Sequence, residues 1–71
     1  MRTSKERKYQ VHFMYFDRQI ACVIEAHYHV VREIAKDGFW INNMLQMTHE
    51  VTGDHAYYIP PSKVIAIEAL Q

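Results

Sequence analysis

Ala56-Tyr57-Tyr58-Ile59-Pro60-Pro61-Ser62-Lys63-Val64-Ile65-Ala66-Ile67-Glu68-Ala69-Leu70 decides the fold class of this 71-residue chain. Its opening residues are aromatic and apolar, the composition of a strand. Pro60 and Pro61 then remove two backbone donors and force a sharp turn. Beyond the turn, Lys63 to Leu70 resumes as a β-branched strand that closes a small sheet. A β-rich module follows, and the rest of the chain is read against it.

Upstream, Thr52-Gly53-Asp54 is the strongest turn signal in the chain. It joins Met44–Val51 to His55–Ile59 in a second hairpin. A three-residue loop pairs Met47 with Ile59, and a two-residue loop pairs Thr48 with Ile59. Phe39-Trp40-Ile41 is a short apolar run ended by Asn42-Asn43.

Tyr9–Phe16 and Gln19–Ala26 are two alternating runs joined by Asp17-Arg18. Pairing them places Tyr15 opposite Ile20, Phe13 opposite Cys22 and Val11 opposite Ile24, which makes one face wholly apolar. The other face pairs Phe16 with Gln19, Met14 with Ala21, His12 with Val23 and Gln10 with Glu25, and is mixed. From Tyr28 to Lys36 the period lengthens: Val30, Val31, Ile34 and Ala35 share one side of a short helix. Asp37-Gly38 ends it, with glycine as an αL cap. Two to three helical turns need a sheet to lie on, and the mixed face of the first hairpin is the candidate. The expected class is α+β, ordered β-β-α-β-β-β: a small, strongly bent antiparallel sheet or an SH3-like barrel with one short helix.

Tyr58-Ile59-Pro60-Pro61-Ser62-Lys63-Val64 resembles the end of an SH3-type barrel, where a strand enters a Pro-containing helical turn and then the closing strand. Met14-Tyr15-Phe16-Asp17 is similar to the aromatic-acidic opening of that family. The resemblance implies a barrel-like architecture. The ligand-binding tyrosine of the family falls at Lys63 here, and no acidic specificity loop precedes the helix. Proline-rich peptide binding therefore does not carry over, and fold alone does not give function.

A chain this short buries only about 60% of the surface its unfolded form exposes. Such domains add disulfides, a metal or oligomerisation. Cys22 is the single cysteine, which excludes an internal disulfide and fits a reducing compartment. No apolar run approaches the roughly 20 residues of a membrane-spanning helix, and Met1–Lys8 lacks the apolar core of a signal peptide. The cytoplasm is the expected location, without membrane association.

Net charge is zero but unevenly placed. Arg2, Lys5, Arg7 and Lys8 against Glu6 give +3 in residues 1–8, and residues 9–71 carry −3. The chain divides into a basic arm, residues 1–8, and one domain, residues 9–71. An acidic body is a poor match for a phosphate backbone, so a nucleic-acid role rests on the four basic residues of the arm.

Five histidines raise metal binding. His27 and His29 share a face if extended, and His49 and His55 flank the Thr-Gly-Asp turn; the spacing matches no known zinc motif. Catalysis has less to stand on. Cys22 lies on the apolar face, the two glycines form no phosphate loop, and a chain this short has little room for an enclosing pocket. No catalytic residue and no cofactor are expected. Aromatic side chains exceed what one small core hides. Neighbouring strand residues point to opposite faces, so one of Tyr57 and Tyr58 faces outward, and likewise one of Phe39 and Trp40. Trp40, Met44, Met47, Tyr57 and Tyr58 are the candidate protein-contact residues, because interfaces favour aromatic and Met side chains.

The reading is a non-catalytic binding protein, an accessory regulator or inhibitor that contacts a protein partner and self-associates. The alternatives are a nucleic-acid-binding module using the basic arm, and a small-ligand or metal-binding protein using the aromatics and histidines.

Overall fold

Two three-stranded antiparallel sheets and one helix make up the computed structural model, which describes residues 6–48 and 56–70. Strands β1 (Arg7–Tyr15) and β2 (Arg18–Ala26) form a hairpin, and β6 (Val64–Ala69) pairs with the other edge of β1. In the second sheet β3 (Phe39–Asn42) lies between β4 (Met47–Thr48) and β5 (Ala56–Ile59). Helix α1 (Tyr28–Asp37) connects the sheets, and a single 3₁₀ turn, Pro61–Lys63, joins β5 to β6. The sheets do not close into a barrel.

The first hairpin turns at Phe16-Asp17, not at Asp17-Arg18. Tyr15 pairs with Arg18, Phe13 with Ile20, Val11 with Cys22 and Tyr9 with Ile24. Moving a two-residue turn by one position shifts the register by two, and an even shift keeps each side chain on its face. The apolar face is therefore the expected one. Phe16 has φ 57°, the left-handed sign that a type II′ turn needs at its first position and that usually selects glycine.

Core residues come from both sheets and the helix. Val11, Phe13, Ile34, Phe39, Ile41 and Ile59 form one buried cluster, with Ile20, Cys22, Ile24 and Met47 packed at its margin. Phe13 meets Phe39 edge to face, with centroids 5.1 Å apart. Val11, Phe13 and Ile41 are wholly buried; each such side chain contributes about 1.5–3 kcal/mol through removal from water.

Helix α1 lies on the apolar side of β1, where Ile34 joins the core, and not on the mixed face. Helical periodicity shows that a helix has an apolar stripe but not which sheet face receives it. The mixed face is left open, with Val23 and Ile65 58% and 49% exposed. Ile65 sits where the β1–β6 register slips between His12 and Phe13, a bulge that adds local twist.

Gly38 ends the helix as anticipated, and its N–H bonds to the Ile34 carbonyl at 2.9 Å. Its φ of 83° and ψ of −164° place it in extended mirror-image backbone and not in the αL region. The chain thereby passes straight from α1 into β3.

The second hairpin is not formed as expected. Strands β4 and β5 sit on opposite edges of β3, with Ile41 opposite both Met47 and Tyr57, and Phe39 opposite Ile59. Neither proposed pairing of Met47 or Thr48 with Ile59 occurs. The central strand β3 takes a neighbour on each edge instead, and its Phe39 and Ile41 are buried between them. The Thr52-Gly53-Asp54 turn itself lies outside the described residues.

Candidate functional site

Rings gather at the end of the molecule where the first hairpin turns. Phe16 is held outward by its left-handed backbone and is 74% exposed. Its ring packs on Tyr15 at 4.7 Å and faces Tyr57 at 6.5 Å, and Tyr15 meets Tyr57 at 5.7 Å, all near edge-to-face. Such pairs contribute about 0.5–1.5 kcal/mol each beyond area burial. Tyr57 points to the core side of β5, as its pairing with Ile41 requires. It nevertheless stays 39% exposed. The expectation that one of Tyr57 and Tyr58 is hidden therefore fails on burial though not on direction: Tyr57 lies near the start of β5, where the rings beside it among the described residues are Tyr15 and Phe16.

Tyr58 takes the opposite face of β5 and pairs with Trp40 of β3. The two rings lie 5.3 Å apart, tilted by 51°. The Tyr58 hydroxyl donates to the Asp37 carbonyl at the last residue of α1. This fixes the ring across Gly38, whose missing side chain leaves the space: a Cβ there would meet the Ile59 carbonyl and lie 2.9 Å from the Tyr58 oxygen. Phe39 is buried and Trp40 outward, as the alternation predicts.

Between these rings runs a groove of about 310 Å³ lined by Met14, Tyr15, Phe16, Tyr57, Tyr58 and Ile59, with Pro60 and Lys63 at its end. The Tyr15 phenol is held above its ordinary value, first by loss of water contact and then by the neighbouring Tyr57 hydroxyl, while Arg18 acts in the opposite sense.

Of the predicted contact residues, Trp40 and Tyr58 are brought together, while Tyr57 stands on the other face of β5 beside Tyr15 and Phe16. Met44 stands apart, 70% exposed in the turn after β3; that turn is held by the Asn42 side-chain oxygen, which accepts from the Met44 and Gln46 N–H groups at 2.9 and 3.0 Å. Met47 packs at the core margin and is only half exposed. Tyr15, Phe16, Pro60 and Lys63 were missed. Reading Phe16 as a strand residue hid its role; the crowding of Phe13, Tyr15 and Phe16 around one turn was the available signal.

The remaining candidates are scattered. His27 and His29 do come together at the start of α1, their rings stacked at 5.7 Å, and His27 Nε2 lies 4.0 Å from Glu6. Among the described residues, no group of three or more His, Cys, Asp or Glu side chains is arranged to hold a metal ion. His49 and His55 lie outside the described residues. His12 reaches Glu68 at 3.4 Å on the open sheet face. Arg7 and Lys8 are the first residues of β1, opposite Ala26 and Glu25; Arg2 and Lys5 lie outside the described residues. Burial raises the Cys22 thiol, with the backbone of Met47 opposing. A thiol so held is a poor nucleophile at neutral pH.

No helix of the described residues is long and apolar enough to cross a membrane. Compared with protein-family models, with curated proteins and with solved structures, the chain matches none.

Proposed function

We propose that this chain is a non-catalytic binding protein that docks a protein partner through its aromatic end. The observation that carries the reading is a groove with an apolar floor lined by the exposed rings of Phe16, Tyr57 and Tyr58, with Trp40 packed on Tyr58 beyond it. Aromatic side chains concentrate binding energy because they bury large areas at little entropic cost. The occupant is an apolar side chain of a partner segment, with the tyrosine hydroxyls and Lys63 serving polar groups at the rim. A module of this kind acts as an accessory regulator or inhibitor that blocks or sequesters its partner, in the cytoplasm, and self-association belongs to the same reading. The 3₁₀ turn and the pairing of the last strand with the first support an SH3-like relationship, with the barrel left open.

Selection from a random peptide library, followed by backbone shift mapping, tests the proposal. Peptides that shift Tyr15, Phe16, Tyr57 and Tyr58, and lose affinity at least tenfold with Phe16→Asp while the variant stays folded, agree with it. Peptides that map instead to the open face of β1, β2 and β6 refute it.

A further inference from the structure

The outermost strand of an antiparallel sheet turns alternate N–H and C=O groups to solvent. In the larger sheet the pattern can be worked out residue by residue. Leu70 donates to the Lys8 carbonyl at 2.9 Å, so even-numbered residues of β1 turn their backbone groups toward β6 and odd-numbered ones toward β2. That makes Lys8–Glu25, Gln10–Val23, His12–Ala21 and Met14–Gln19 the non-hydrogen-bonded pairs of the hairpin. Gln19, Ala21, Val23 and Glu25 therefore aim their N–H and C=O groups outward, and among the described residues the sheet ends at β2.

The opposite edge of the same sheet is guarded: β6 carries a bulge, which discourages pairing. β2 has nine residues, no Pro, Gly or Lys, and charges only at Arg18 and Glu25.

We infer that a second copy of this chain pairs with β2, antiparallel about a two-fold axis at Cys22, to make one continuous six-stranded sheet. Because β2 runs from Arg18 to Ala26, full overlap sets its midpoint, Cys22, opposite itself. Ile20 then faces Ile24 of the second copy, Ala21 faces Val23, Gln19 faces Glu25 and Arg18 faces Ala26. No like charges meet, and each side chain keeps its face across the axis. The outward groups of the four odd-numbered residues meet their own kind in reverse order, which gives roughly eight backbone hydrogen bonds. A groove of about 320 Å³ lies beside the edge, with Ile24, Ala26, Val30 and Met47 in its wall. Ile20 of the second copy enters it, opposite Ile24, and the two-fold axis repeats the contact. The interface deepens the self-association part of the proposed function and leaves the aromatic end free, since the antiparallel arrangement sends the two hairpin tips to opposite ends.

Sedimentation and amide exchange of the intact chain, from micromolar to millimolar concentration, test the inference. The expected result is a reversible dimer, twice the 8.5 kDa chain. The Gln19, Ala21, Val23 and Glu25 amides become protected as the dimer forms, while Ile20, Cys22 and Ile24 are protected throughout. Ala21→Pro removes one outward N–H that the chain's own ladder does not use, and should give a folded monomer. A monomer at every concentration overturns the inference. So does a dimer in which those four amides exchange freely, because its interface lies elsewhere. Neither result depends on peptide capture at the aromatic end, and loss of that capture by Phe16→Asp leaves the dimer intact.

Discussion

Replacing Gly38 with alanine tests the junction on which the aromatic end is built. Two independent costs add at this position. The backbone, φ 83° and ψ −164°, lies in a region open essentially to glycine alone, which costs any other residue about 1–3 kcal/mol. The new Cβ also meets the Ile59 carbonyl, lies 2.9 Å from the Tyr58 oxygen and 3.1 Å from Pro60 Cα. Two of these neighbours are backbone, so relief requires moving the end of β5, at about 1–3 kcal/mol for overpacking. The expected loss is about 2–6 kcal/mol, against a total stability of about 4–11 kcal/mol for a domain of this length. The thermal midpoint should fall by at least about 10 °C. Urea unfolding followed by Trp40 fluorescence measures the loss directly, because Trp40 lies on Tyr58. Ala35→Gly is the control: Ala35 is exposed, although its spacing had placed it on the apolar side of α1, and the change should cost only about 1 kcal/mol. A loss below about 0.5 kcal/mol for Gly38→Ala would show that β5 is not pressed against this junction.

Phe16→Gly should change stability by no more than about 1 kcal/mol, since relief of the left-handed backbone, about 1–2 kcal/mol, offsets the lost ring contact with Tyr15; denaturant midpoints check this, and a large destabilisation would mean the ring is a structural support. Stability should be flat from pH 6 to about pH 8 as far as Cys22 and Tyr15 are concerned, because both are raised in the fold. Raised groups favour the folded state fully below their ordinary values, and the advantage is lost as pH climbs through the folded ones. Cys22→Ala should remove the first part of that alkaline loss and Tyr15→Phe the second, read as thermal midpoint against pH. Glu68→Gln should cost less than about 0.5 kcal/mol, because its contact with His12 is exposed to solvent; a larger effect would mark a water-excluded pair.

Side-chain alternation made the first hairpin legible even where its turn was misplaced. Val11, Phe13, Cys22 and Ile24 reach the right face because the register error was an even number of residues. The same arithmetic could not place the turn. Turn statistics favour Asp17 over Phe16, and the positive φ that holds Phe16 outward was signalled only by the crowding of rings around the turn. Pro60-Pro61 and Gly38 were readable as punctuation because they act through their own backbones. The partners of β3 were not, since a strand's choice between two edges is settled by distant burial of Phe39 and Ile41. Alternation sent one residue of each adjacent aromatic pair outward without saying which; that these are Trp40 and Tyr58, and that a groove joins Tyr57 to the hairpin tip, had to await the fold.

Strand β1 is completed from both ends of the chain, with β2 following it directly and β6 arriving from residues 64–69. During synthesis, β1 and β2 emerge and pair early, but the other edge of β1 stays bare until Val64–Ala69 have left the ribosome. At about 5–20 residues per second that interval lasts some seconds. Throughout it that edge of β1 offers the unpaired backbone groups of Lys8, Gln10 and His12. The order of strands thus sets a period of vulnerability to misassembly, and a chain cut short within β6 should reach proteases and chaperones in that unfinished form.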